Sequence, residues 1–203
     1  MRTYLHTYDI PDDVLFGNLI AVDTETTGLC LHRDRLCLVQ FNCGDGAVHL
    51  VHFPDAVYDK SQNICNFLIS EHVQKIFHYA RFDIAFLAVT FGVFAKNVYC
   101  TKIASKIART FSDQHSLKAL CRDLLNIDIS KTEQRSYWGA ATLTPGQLDY
   151  ASTDVLYLHN LKNMLDVILV KENRMALAQG CFDFLPLRAR LDVLGGWHDI
   201  FEH

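Results

Sequence analysis

Hydrophobic and polar positions change period along the chain. Asn18–Glu25, Leu36–Cys43 and Ala47–Phe53 are runs rich in Val, Leu, Ile and Phe, too short for helices and bounded by turn residues, so they predict strands. The "CGDG" of residues 43–46 is a hairpin signal between the last two. Residues 61–70 read as a helix, "VQKIFHY" (73–79) as a fourth strand, and "RFDIAFLAVTFG" (81–92) as a strongly apolar helix that Gly92 closes. A short strand is expected near Asn97–Tyr99. The second half has the helical period: about 101–109, 115–125, one long helix over 145–171 and another over 184–194, stopped by Gly195-Gly196. Thr144 followed by Pro145 and Gln147 is a capping box with proline at the first helical position. The pattern predicts an α/β fold: a mixed five-stranded sheet flanked by helices, with a helical C-terminal half.

Ile84–Ala95 is uncharged for 12 residues and apolar nearly all round. It reads as a central core helix or, alternatively, as one covered by a second subunit. Twelve residues are too few to span a bilayer. The N-terminus has no apolar stretch of signal-peptide type. With no repeat and no Gly, Pro or Ser-rich linker, a single domain over residues 1–203 is expected.

Composition narrows the function. The 203 residues are 50% hydrophobic and 21% charged, the values of an ordinary globular protein. Seven cysteines, an odd number without a CxxC, argue against a disulfide framework or a zinc site, Cys30, Cys37 and Cys43 included. A cytoplasmic protein with reduced thiols is expected. The net charge of −4 lacks the basic excess of proteins that grip long nucleic acids. A nucleic-acid substrate would therefore be short, met by a local basic patch, or held through metal ions.

Acids supply the chemistry. "LIAVDTETTGL" (19–29) ends an apolar strand in Asp23 and Glu25, which alternation places on one side. Asp83 opens the apolar helix. Tyr150 and Asp154, four apart in "LDYASTDVLYLHNL" (148–161), share one helix face, whereas Asp149 lies about 100° away. Taken singly, Asp83 reads as a dipole-stabilising acid, and Tyr150 with Asp154 as a packed tyrosine beside a surface acid. If the four carboxylates converge, they cannot all ionise without cations, and an oxygen-only ligand set favours Mg²⁺ or Mn²⁺. Two such ions about 4 Å apart suit phosphoryl chemistry.

"DTETTG", "HYARFD" and "YASTD" resemble, in order, the DxE, (H/N)xxxxD and YxxxD motifs of the DEDDy 3′→5′ exonucleases, whose fold is ribonuclease H-like. "LCLVQF" (36–41), "KTEQRSYW" (131–138) and "LDYASTDVLYL" (148–158) look more narrowly like the ribonuclease D family, over about residues 18–170. Two features depart from that family. No helical nucleic-acid-binding domain is expected after the exonuclease domain, and Ser136-Tyr137-Trp138 stands where Ser-Asp-Trp is common. The short length and residues 172–197 look most like its nanoRNase C branch, which implies a homo-oligomeric exoribonuclease for very short RNA, especially dinucleotides. Alternatives are trimming of longer RNA 3′ ends, such as tRNA precursors, and an inactive nucleic-acid-binding module.

The resemblance implies roles. Asp23, Glu25, Asp83 and Asp154 would hold two Mg²⁺ or Mn²⁺ ions, with Asp23 bridging them. Tyr150 would orient the attacking water, and Glu25 would also reach the terminal 3′-OH. Leu29, after the Thr-Thr-Gly turn that Thr26 opens, would wedge against the last bases; a leucine tucked into the core is the other reading. Phe82, Tyr137 and Trp138 are stacking candidates. His78, Arg81, Lys102, Lys131, Gln134 and Arg135 are candidates for a 5′-terminal phosphate, from this or a neighbouring subunit.

Overall fold

Apolar alternation in the N-terminal half and helical period in the second produce six strands and seven helices in the computed structural model, which describes residues 2–14, 17–130 and 132–195. The strands are β1 (Arg2–Thr7), β2 (Leu19–Thr26), β3 (Leu36–Asn42), β4 (Ala47–His52), β5 (Gln74–Phe77) and β6 (Val98–Cys100). They form one mixed sheet of order β1-β4-β3-β2-β5-β6. β2, β3 and β4 pair antiparallel, while β5 joins β2, β6 joins β5 and β1 joins β4 in parallel. The expected mixed sheet thus gains a sixth strand. "RTYLHT" carries no apolar alternation because β1 is an almost wholly exposed edge, made a strand by its pairing with β4. β3, by contrast, is buried at all seven positions, with apolar residues on both of its faces.

The helices are α1 (Gln62–Ile69), α2 (Ala80–Phe91), α3 (Thr101–Ala108), α4 (Leu117–Leu125), α5 (Pro145–Leu156), α6 (Leu158–Lys171) and α7 (Met175–Gly195). Gly92 closes α2 at φ 73°, its N–H donating to the Ala88 carbonyl. The predicted helix over 145–171 is two: at Tyr157 the backbone stays near the right-handed helical region but turns the chain, with no Gly or Pro to signal it. The last helix starts nine residues before position 184, at Met175, and runs through Pro186. Its buried Ala178, Phe182, Leu185 and Ala189 recur at helical spacing, which Gly180 and Pro186 obscure in the sequence. Lys131 and Gly196 lie outside the described residues. Among those residues no helix is long and apolar enough to cross a membrane.

α2 packs against β3, β5, β6 and α7, so its apolar surface is core within this chain. α7 is locked to it by a buried ionic knot. Arg81 Nε and Nη2 donate to Asp192 at 2.7 and 2.8 Å, and Arg188 Nη2 donates to the same carboxylate at 2.8 Å. Asp192 is fully buried, so its charge depends on both guanidinium groups. Asp192→Ala removes the buried carboxylate that both guanidinium groups bond and is expected to cost about 3–5 kcal/mol in urea unfolding. A loss within the exposed-pair range, about 0–1 kcal/mol, would contradict that role.

Candidate active site

β2 carries the acids to the edge of a cleft. Its alternation sends Asp23 and Glu25 to one face and Thr24 to the other. Thr24 Oγ1 donates to Asp83 Oδ1 at 2.7 Å, fixing the first turn of α2 to the strand. Between β5 and α2 the chain turns at Tyr79, which takes a left-handed conformation (φ 73°, ψ 41°) that costs a tyrosine strain. From the C-terminal half, α5 presents Tyr150 and Asp154. Its first turn is held by the capping box, with Thr144 Oγ1 accepting from Gln147 N and Gln147 Oε1 accepting from Thr144 N. Gln147 Nε2 also donates to Ser136 Oγ and the Tyr137 carbonyl, anchoring the loop before α5.

Oxygens of Asp23, Glu25 and Asp154 all lie within 4.8 Å of one another, with Asp83 beside them. Loss of hydration pushes the Asp23 and Glu25 carboxyls well above the usual carboxylate range, and the neighbouring acids add to it. Burial raises Asp83 to about 7 even though the Thr24 hydroxyl favours its charged form. Burial, then the charges of the neighbouring Asp154 and Glu25, push the Tyr150 phenol above its ordinary value. An oxygen-only set of crowded carboxyls is the donor chemistry of a hard divalent cation, so the residues fit Mg²⁺ or Mn²⁺.

All five motif residues line one cleft of about 660 Å³. Thr26 lines it too, although its hydroxyl donates to the Gly28 carbonyl within the turn. Leu29 is 74% exposed at the cleft, which excludes the reading of a leucine tucked into the core. In the turn that presents it, Gly28 lies against the Asp34 carboxylate, which a Cβ there would have to displace. His78, Lys102, Gln134 and Arg135 also line the cleft. Thr101 Oγ1 donates to the Phe77 carbonyl, so His78 Nδ1 is the donor to Thr101. Arg81 is not among the lining residues; its guanidinium is turned to Asp192. Phe82 lines the cleft and packs on Phe86, and the buried Trp138 lies 6.1 Å, centre to centre, from the Tyr150 ring. Tyr137 is exposed and is not among the lining residues.

Tyr79 and Ser116 join the cleft without having been anticipated. Tyr79 is half-exposed there with the Lys102 ammonium 4.2 Å from its ring centre, a cation–π pair. Its strained backbone has no mark in the sequence. The Ser116 hydroxyl caps α4, a role that Ser before an apolar-periodic run does signal.

The raised carboxyls have a pH signature. Their folded pKa values exceed the unfolded ones, so their stabilising contribution is full below about pH 4 and is lost as pH rises through the folded values, about 7 for Asp83. Asp23→Asn removes one of them. Without metal, the variant is expected to melt above the wild type, with a gap that widens from about pH 5 to about pH 7. Millimolar Mg²⁺ or Mn²⁺ should raise the wild-type melting temperature more than the variant's. A variant no more stable than wild type at neutral pH would contradict the repulsion.

A family model described as a 3′-5′ exonuclease matches residues 10–169. Ribonuclease D of Granulibacter bethesdensis is 29% identical over 157 residues, 77% of this chain and 39% of that protein. DNA polymerase I of Aquifex aeolicus is 33% identical over 140 residues, 69% of this chain and 22% of its own. The chain thus spans about two fifths or less of the length of these curated relatives. The solved structure of NrnC from Brucella melitensis matches with a TM-score of 0.94 at 45% identity, covering 100% of both chains. That protein has also been solved with bound Mg²⁺ and bound to pGG. The mixed sheet with a helical C-terminal half is therefore the fold of these nucleases.

Proposed function

The chain belongs to the 3′-5′ exonuclease family, and we propose that within it this protein hydrolyses very short RNA, above all 5′-phosphorylated dinucleotides, to nucleoside 5′-monophosphates. The observation that carries this reading is the meeting of Asp23, Glu25, Asp83, Tyr150 and Asp154, from β2, α2 and α5, in one cleft. The full-length likeness to NrnC, a protein solved with pGG, supports the dinucleotide. So does a cleft of small-ligand size in a chain of net charge −4, since few phosphates then need neutralising.

Asp23, Glu25, Asp83 and Asp154 would hold two divalent cations, Mg²⁺ or Mn²⁺, with Asp23 shared between them. Such cations supply charge compensation for the acids and polarisation of the scissile phosphate. Tyr150 keeps its proton, because burial moves the phenol away from ionisation, so it positions water and does not act as the base. With Asp154 beside it, the protonated phenol would keep its oxygen free to accept from the attacking water. The water oxygen forms the new bond to phosphorus while the bond to the upstream 3′-oxygen breaks, and that oxygen leaves as a hydroxyl. Glu25 accepts from the terminal 3′-OH, which restricts cleavage to chain ends.

Leu29 packs against the terminal bases. His78, Lys102, Gln134 and Arg135 face the phosphates, Lys102 being held in place on the Tyr79 ring. Assembly as a homo-oligomer is part of this reading. Exposed Met164, Val167 and Val170 on α6, with Leu177, Leu187 and Leu194 on α7, support it.

Hydrolysis of RNA 2-mers to 20-mers, with Mn²⁺ and with chelator, tests the proposal. Turnover should be fastest on the 5′-phosphorylated 2-mer and absent with chelator; equal turnover of 2-mers and 20-mers would indicate trimming of longer RNA. Asp154→Asn should lower kcat by at least about 10²-fold, and near-normal turnover would defeat the site. Leu29→Ala should leave the melting temperature unchanged, because the side chain is exposed, and raise the dinucleotide KM by the equivalent of about 1–3 kcal/mol of lost stacking. An unchanged KM would remove the wedge.

A further inference from the structure

β3 contains a polar residue that neither the core nor the cleft explains. Gln40 is fully buried in a strand otherwise occupied by Leu, Cys, Val and Phe up to Asn42, and neither Nε2 nor Oε1 has a hydrogen-bond partner in the protein. Exchanging the two atoms changes nothing, since both are unpartnered. Asn42, the other buried amide of that strand, is fully employed: Nδ2 donates to the Ala47 carbonyl and Oδ1 accepts from Gly44 N, closing the hairpin. A buried amide bonded at neither end costs free energy that an apolar residue of the same shape would not.

Its place in the sheet says what it serves. In the antiparallel pairing of β2 with β3, Gln40 stands directly opposite Asp23, and Glu25 stands opposite Leu38. Opposed residues share a face, with Cβ atoms about 4.5–5.5 Å apart, so a glutamine side chain there is long enough to reach its partner's carboxylate, although neither polar atom of Gln40 bonds to Asp23 in this structure. On its other side Gln40 faces Leu50 of β4, which offers no polar side chain. Thr24, the residue beside Asp23, spends its hydroxyl on Asp83.

We propose that Gln40 is a positioning residue for Asp23: its amide N–H donates to the Asp23 carboxylate when that carboxylate holds a cation, orienting the oxygen lone pairs that face the site. Outer partners of this kind fix the geometry of ligating carboxylates. The inference rests on the reading of Asp23 as a cation ligand.

Titration of metal-free protein with Mn²⁺, in the absence of nucleotide, tests it alongside the melting temperature. Gln40→Met keeps length and bulk while removing both polar groups. The variant should melt, without metal, at or above the wild-type temperature, and its Mn²⁺ affinity should fall about 10–100-fold. Wild-type Mn²⁺ affinity in Gln40→Met overturns the inference, whatever its melting temperature. If Gln40→Met does not fold, Gln40→Asn, which withdraws the amide by one methylene, should show the same loss, and unchanged affinity there overturns it equally. Failure of the wild type itself to bind Mn²⁺ removes the cation reading of Asp23, and the role of Gln40 with it.

Discussion

Four carboxyls brought together at the end of β2 repel one another, and most other features of the site answer to that repulsion. Asp23 and Glu25 share a face of the strand, Asp154 approaches that face from α5, and Asp83 is fastened to the strand through Thr24. The Thr24 hydroxyl that binds Asp83 and the neighbouring Tyr150 phenol carry no charge to offset the acids. Burial and mutual repulsion therefore favour the protonated acids in the protein alone, and a divalent cation is the partner that lets them ionise. Repulsion of this size persists in a fold only where the elements carrying it are held by something else. Here these are the capping box of α5, the Thr24–Asp83 bond and the Arg81–Asp192–Arg188 knot that clamps α7 onto α2.

That knot bears on how far a residue's position in a motif predicts its use. Arg81 sits two residues before Asp83, among charged and aromatic neighbours, and its sequence position suggests a phosphate contact. Its partner Asp192 lies 111 positions away, in a helix whose period is broken by Gly180 and Pro186. No local pattern reveals that pairing. The joining of Asp83 with the Asp23–Glu25 and Tyr150–Asp154 pairs was legible only through the resemblance to the exonuclease motifs, whereas period made the shared face within each pair readable. The hairpin, the core strands and the α5 cap were legible in the same way. β1, an exposed edge, and the bend at Tyr157 depend on tertiary pairing and turning that leave little local trace.

The cleft combines two kinds of surface. Its floor is acidic and suits metal-assisted attack on a phosphodiester. Leu29, Phe82 and Tyr79 line the cleft together with Lys102, His78 and Arg135, so apolar and basic side chains join the acids, as the proposed binding of bases and phosphate requires. Leu29 is an exposed leucine held out by the turn at Gly28, an arrangement without value to the core. Gln40 is its buried counterpart, a polar residue without value to packing that lies opposite Asp23. Both depart from what stability alone favours, and such departures concentrate at working sites.

The number of cations held at the end of β2 tests the central claim most directly. Equilibrium titration of the metal-free wild-type protein with Mn²⁺ at neutral pH should give two ions per chain. Asp23→Asn should lose at least one of them while remaining folded. A wild-type protein that binds no Mn²⁺ at millimolar concentration, or an Asp23→Asn variant that binds it unchanged, would contradict the role assigned to the four acids.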